Sequence, residues 1–286
     1  MKPMIRTARS ISITFLILAL FSSGCSFSLT APGADLPPPI TLNAPDYVNG
    51  YNSIAGALAY EGSQPPYILY PQGPAVTLTN NPAATNPTWT ELMAFVRADN
   101  TDRNAYLPDN YMCGGFAQDL HNNAEAAGIR AAWVAIDFAG DSVGHAATAF
   151  QTTDRGLVII DDTSASGGGS WGLGGGVIES FDKLAYIAIG KEYGIIALEV
   201  AASPLYNYYL DYLDQLEQFE ALKQEYEQQV LAYNQAAKNG SQSQGYLKNW
   251  YQRLKETESQ LDEMAVALGG LYWESMGIVS AVKIFW

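Results

Sequence analysis

The order of apolar and polar positions predicts one helix followed by three strands in the middle of the chain. Between residues 113 and 127, apolar or small side chains recur at helical spacing, and Gly128 follows as a stop signal. Apolar runs at 129–138, 145–151 and 157–161 predict strands, and the turn residues of 152–156 predict a hairpin between the last two.

A different periodicity governs the C-terminal third. Residues 205–239 and 247–268 carry apolar side chains three and four apart, and a polar segment separates them, which predicts a long antiparallel helical hairpin. The outer face of the first helix is acidic and solvated, or else docks a protein partner. Its acidic residues are Asp211, Asp214, Glu217, Glu220, Glu225 and Glu227.

The N-terminus has the form of a targeting signal. Three basic residues precede an apolar run of eleven residues, which is too short to span a bilayer. The small residues before Cys25 resemble a bacterial lipoprotein signal, although Ser22 stands where Leu is usual. That resemblance implies cleavage before Cys25, a lipid on its sulfur, and attachment to the outer face of the cytoplasmic membrane or cell envelope.

These patterns divide the chain into five parts. A signal (1–25) and a Pro/Ser/Thr-rich tether (26–45) precede a core (46–202). The helical hairpin (203–270) is an excursion from that core, and a terminal strand (271–286) returns to it. The 286 residues suffice for one substantial core, and a net charge of −14 argues against a nucleic-acid partner.

Three residue types in the central stretch suggest nucleophilic chemistry. Cys113 falls in the first turn of its helix, where the dipole and unpaired N–H groups favour a thiolate. His145 and Asp161 each lie eight residues from Thr153, so an antiparallel hairpin with Thr153 at its tip places them opposite one another. A cysteine, a histidine base and an orienting carboxylate form a set for acyl transfer through a thioester.

The supporting residues are less well determined by the sequence. The Cys113 N–H offers one oxyanion donor, with Tyr111 or Asn110 as candidates for the second. Trp171, in a glycine-rich loop, is a candidate lid over the site. His121 is interpreted as a surface or boundary residue.

Four short motifs resemble those of the transglutaminase-like superfamily. They are Cys113-Gly-Gly-Phe-Ala, Gly128-Ile-Arg-Ala, Gly144-His-Ala and Ile160-Asp-Asp-Thr, within about a quarter of the chain. The resemblance implies an α+β fold with a papain-like core and an antiparallel sheet, and it matches Cys113, His145 and Asp161 to the family triad. Ala147 stands where the family often has Trp, and Asp162 replaces a frequent Pro and competes with Asp161 for the third role.

Two functions from different classes remain open. One is a membrane-anchored cysteine acyl-transfer enzyme, a peptidase or a transferase, acting on an amide of a protein, peptide or cell-wall peptide. The other is a non-catalytic surface lipoprotein that uses the core as a binding module. With Cys25 lipidated, Cys113 has no disulfide partner, and a Cys25–Cys113 disulfide is the alternative. The two His and two Cys show no zinc-ligand spacing, and no cofactor is implied.

Overall fold

A computed structural model describes residues 40–41, 54–140, 144–164, 181–240, 242–269 and 276–286. The elements in chain order are β1 (Ile40–Thr41), β2 (Leu58–Tyr60), α1 (Trp89–Ala98), α2 (Cys113–Ala126), β3 (Ala132–Phe138), β4 (His145–Thr152), β5 (Gly156–Asp161), β6 (Lys183–Tyr186), β7 (Gly194–Ala197), α3 (Tyr206–Asn239), α4 (Gln244–Ala267) and β8 (Val279–Phe285). The fold is α+β with a mostly antiparallel sheet and a C-terminal helical pair, as predicted.

One sheet joins the strands that the structure describes, in the order β1-β2-β8-β3-β4-β5-β6-β7. The only parallel pairing among them joins β2 to β8. The C-terminal strand β8 therefore lies inside the sheet, between β2 and β3, and its register pairs Val134 with Ile284. This placement makes the chain's last residues part of the core.

The two faces of the sheet are both covered, because β3, β4 and β5 bury side chains of both alternations. On the face covered by α2, Trp133, Ala135 and Ala146 pack with Cys113. On the opposite face, Val134, Ile136, Ala147 and Ile159 belong to a separate apolar cluster. This division of the strand residues decides which side chains share a face with the candidate nucleophile.

The sequence Thr88-Trp89-Thr90-Glu91 has the form of a capping box and predicts a helix start, and α1 begins there. The Thr88 hydroxyl oxygen accepts the Glu91 backbone N–H, and the Glu91 carboxylate accepts the Thr88 backbone N–H, which completes a capping box. The β4–β5 turn holds this end in place, because the Asp154 carboxylate accepts the Trp89 N–H at 2.7 Å and the Arg155 guanidinium stacks on the Trp89 ring.

The helical pair α3–α4 is joined through Gly240, which ends α3 in the left-handed region at φ 63°. Its base packs against the sheet through Tyr209, whose ring lies over Gly194 of β7. A Cβ on Gly194 would lie 2.3 Å from Tyr209 Cζ, so glycine is needed for this close approach.

Two residues of the segment interpreted as a tether belong to the sheet. Within the segment interpreted as a tether, Ile40 and Thr41 pair with Ala59 and Leu58 as an edge strand. Backbone pairing with the core thus extends into residues 26–45, because β2 leaves one edge open to a further strand. In the described part of the chain, no helix has the length and apolarity needed to cross a membrane.

Candidate active site

The candidate nucleophile is the first residue of α2. The capping residue Met112 provides no side-chain hydrogen bond, and the Met112 carbonyl accepts the N–H groups of Gly115 and Phe116. The backbone N–H groups that precede Gly115 in the first turn have no carbonyl partner within the helix, because a helix start leaves its first N–H groups unpaired. Cys113 therefore lies at the positive end of the helix dipole, and its side chain is fully buried, at 0% exposure.

His145 and Asp161 form a buried pair on adjacent strands. The His145 Nε2 lies 2.8 Å from Asp161 Oδ2, and both side chains are almost inaccessible to solvent. The Tyr193 hydroxyl donates to the same carboxylate oxygen at 2.7 Å, and its ring packs edge-on against the imidazole. Because Nε2 faces the carboxylate, Nδ1 is the ring nitrogen left for proton exchange with a thiol.

The register that forms this pair differs from the predicted one. Thr148 pairs with Ile160 and Thr152 with Gly156, so the centre of the turn is Asp154 and not Thr153. Asp161 is consequently in register with Ala147 and diagonal to His145. A shift of two residues keeps both side chains on the same face, and diagonal neighbours remain within reach of long side chains.

The environment of Asp161 favours its charged form. Burial acts to raise the pKa of this carboxyl, but the charges of His145 and Lys183, with hydrogen bonds from His145 and Tyr193, hold the pKa below its ordinary value. The Lys183 Nζ donates to the backbone carbonyls of Thr163 and Phe181. A permanently ionised Asp161 is suited to orienting an imidazole and stabilising the imidazolium.

The neighbouring Asp162 has the opposite character. It is buried, and neither of its carboxylate oxygens has a hydrogen-bond partner. Burial, and then the charges of Asp161 and Asp182, raise the pKa of Asp162 well above its ordinary value. Of the two aspartates that competed for the third role, Asp161 is the one that contacts His145.

Helix α2 and strand β4 begin at the same end of the molecule. The Thr148 hydroxyl donates to the Ala117 carbonyl at 3.1 Å, and Cys113 shares an apolar cluster with Ala146, the residue after His145. The starts of both elements therefore lie close together. Strand alternation nevertheless turns Ala146 and Thr148 towards α2, whereas His145 shares the other face with its partner Ile136.

The redox state of Cys113 differs from the one needed for nucleophilic attack. Cys113 is disulfide-bonded in this structure. The chain's other cysteine, Cys25, lies outside the described residues, and so does its predicted lipidation. The chemistry of a thiolate at this position thus belongs to the reduced protein.

Both hydrogen-bond donors of Tyr111, the predicted oxyanion candidate, have other acceptors in this structure. Its backbone N–H donates to the Leu107 carbonyl, and its hydroxyl donates to the Asp119 carboxylate at 2.6 Å. The N–H of Asn110 also donates to Leu107. Burial and the Asp119 bond raise the pKa of the Tyr111 hydroxyl, which keeps it protonated. The lid candidate Trp171 lies outside the described residues.

The interpretation of His121 as a surface residue is wrong. Its side chain is 0% exposed, and its Nδ1 lies 3.0 Å from Asn122 Oδ1. Burial lowers the pKa of this imidazole, so the neutral form is favoured. His121 falls one residue after Leu120 on the buried side of α2, a position that helical periodicity alone placed at the boundary.

Sequence reasoning missed Tyr193, Lys183 and the buried character of Asp162. Tyr193 is 32 residues beyond Asp161 and reaches it only because β5, β6 and β7 are adjacent in the sheet. A tyrosine in a β-like run carries no signal of this contact. Among the described residues, no group of three His, Cys, Asp or Glu side chains is arranged to hold a metal ion.

No family model, curated protein or solved structure matches the chain.

Proposed function

We propose that the protein is an exported cysteine acyl-transfer enzyme with a papain-like, transglutaminase-like core. The observation that carries the proposal is the buried His145–Asp161 pair at the end of β4, beside the helix start that bears Cys113. A base oriented by an ionised carboxylate, close to a cysteine at a helix N-terminus, is the arrangement that thioester chemistry needs.

In the proposed reaction, the reduced Cys113 sulfur attacks an amide carbonyl carbon while its proton passes to His145 Nδ1. The C–N bond breaks as that proton moves to the leaving amine, and a thioester remains on Cys113. Water then releases an acid, or an amine forms a new amide, and His145 again transfers the proton. The Cys113 N–H is the proposed oxyanion donor.

Strand geometry sets a condition on this mechanism. His145 is the first residue of β4, and its ring lies on the face away from α2. The proposed proton transfer therefore requires the imidazole and the sulfur to approach one another around the start of the strand and not across the face of the sheet. The proposed enzyme is anchored through a lipid on Cys25 and acts on an amide of a protein, peptide or cell-wall peptide.

A second function has a specific observation in its favour. Cys113 is fully buried, which suits a non-catalytic surface lipoprotein whose core binds a partner. The two functions differ in whether the reduced Cys113 is an activated thiol.

The deciding experiment measures alkylation of Cys113 by iodoacetamide as a function of pH in the full chain after reduction. Peptide mass spectrometry reads Cys113 separately from Cys25. We expect a midpoint well below the free-cysteine value of about 8.5. In His145→Ala the midpoint should return towards that value, because the imidazolium no longer stabilises the thiolate.

His121→Ala is the matched control, because it removes the chain's other histidine from α2 without touching the pair. An unshifted midpoint in the wild type, unchanged by His145→Ala, would overturn the enzyme proposal and favour the binding-module function. Equal effects of both histidine variants would assign the shift to α2 itself and would exclude a cysteine–histidine pair.

A further inference from the structure

The distal half of the helical hairpin, residues 228–255, differs in charge from the rest of the protein. We refer to it as the hairpin tip. It contains Lys238, Lys248, Arg253 and Lys255 and no acidic residue. All 29 acidic residues and the other eleven basic ones lie elsewhere, so a tip of charge +4 belongs to a chain of net charge −14.

The four cations differ in their surroundings, and Glu256, just beyond the tip, follows Arg253 by three residues along α4. Lys255 pairs with Glu258 just beyond the tip, whereas Lys238, Lys248 and Arg253 are exposed. The dipole of α3 favours a lysine at position 238, in the last turn. It does not explain the basic residues of α4.

The tip also exposes aromatic and aliphatic side chains. No described residue from 227 to 253 is buried. Leu231 is 63% exposed and Tyr246 is 46% exposed. Trp250 contacts the rings of Tyr233 and Tyr246, so aromatic side chains from both helices are grouped in a part of the hairpin that no strand covers.

The hairpin holds this group away from the core. The last buried residue of α3 is Tyr226, and the helix continues for thirteen residues to Asn239. At 1.5 Å per residue, the tip extends about 20 Å past that point. A partner can therefore reach the tip without displacing the sheet or the candidate active site.

We propose that the hairpin tip binds the surface of an anionic lipid bilayer. The exposed Tyr246 and the half-buried Trp250 are residue types that suit the headgroup region, and lysine and arginine are attracted to anionic lipids. A bilayer surface offers both anionic headgroups for the basic residues and an interfacial region for the aromatic side chains, and the tip carries both residue types. The tip would give the protein a membrane contact independent of any lipid on Cys25.

The test measures sedimentation of the full chain with vesicles of phosphatidylglycerol and phosphatidylcholine, or of phosphatidylcholine alone. The wild type is compared with Lys238→Glu/Lys248→Glu and with the control Arg97→Glu/Lys191→Glu. The control replaces two exposed basic residues away from the tip, and it changes the net charge of the protein by the same amount as the tip variant. Any contribution of the N-terminal apolar segment is the same in all three proteins.

We expect the wild type to favour the anionic vesicles and the tip variant to bind them at least about 30-fold more weakly. This value follows because each basic residue near an anionic surface strengthens binding about fivefold, and the variant loses two such residues. The control should change affinity by less than about threefold, and added salt should weaken wild-type binding. Brominated lipid should quench wild-type fluorescence more than that of Trp250→Phe.

Equal losses in the tip and control variants would overturn the proposal, as would equal wild-type binding to neutral and anionic vesicles. Quenching unaffected by Trp250→Phe would also overturn it. If the tip variant lost binding to soluble polyphosphate but kept its vesicle affinity, the tip would bind an anionic polymer and not a bilayer. Cys113 alkylation is independent of these readouts, so the active-site proposal stands or falls separately.

Discussion

Replacing Asp162 by Asn should change how the stability of the protein depends on pH. Asp162 is buried, its carboxylate oxygens lack hydrogen-bond partners, and Asp161 and Asp182 repel its charge. The folded protein therefore holds a proton on Asp162 at pH values where the unfolded chain, with a pKa of about 3.9, releases it. In Asp162→Asn the side chain at this position does not ionise, so this contribution to the pH dependence is absent.

The sign and size of the effect follow from linkage. Because the folded pKa of Asp162 is raised, its contribution to stability is fully present below about pH 3.9 and is lost as pH rises towards the folded pKa. In that window the folded wild type binds up to one proton more than the unfolded chain. Its stability falls relative to the variant by up to about 1.4 kcal/mol for each pH unit across that window.

The assay is urea unfolding of wild type and Asp162→Asn from pH 3.5 to 7.5, with the difference in unfolding free energy plotted against pH. A part of this difference that does not change with pH reflects the packing and hydrogen bonding of the buried amide. Only the change of the difference with pH reports the titration of Asp162. The exposed Asp211→Asn is the control and should give a flat difference. A flat difference for Asp162→Asn would refute the reasoning, since Asp162 would then ionise alike in both states.

Three further changes test the packing and the buried pair by chemical unfolding, at pH 7 for the first two and from pH 3.5 to 7.5 for the third. Gly194→Ala should destabilise the folded protein by about 1–3 kcal/mol because the new Cβ meets the Tyr209 ring. The control Gly245→Ala, which has open space around it, should be neutral or stabilising. Equal effects of the two changes would contradict the close approach of Tyr209 to Gly194. Thr88→Ala should lose about 1 kcal/mol with the capping box, and no loss would show that the cap is dispensable. Asp161→Asn should cost about 3 kcal/mol by breaking one side of a buried pair, an effect that should shrink as pH falls towards the folded pKa of Asp161; a pH-independent loss would rule out its charge as the cause.

The local elements followed from local sequence, because their determinants lie within a few residues. The capping box at Thr88, the helix start at Cys113 and the strands on either side of residues 152–156 were all predicted from side-chain type and spacing. The helical pair was equally clear, since three-and-four spacing sustained over two long segments favours helices that pack together.

The sequence by itself determined which residue types could react and which face of each strand they occupied. Moving the turn centre from Thr153 to Asp154 shifted the register by two residues, and the side-chain period of two kept His145 and Asp161 on one face. Tertiary structure alone decided the rest. It inserted β8 between β2 and β3, brought Tyr193 to Asp161, buried His121, and turned His145 away from the face that α2 covers. These outcomes depend on contacts between residues far apart in the chain, whose energies no local pattern encodes.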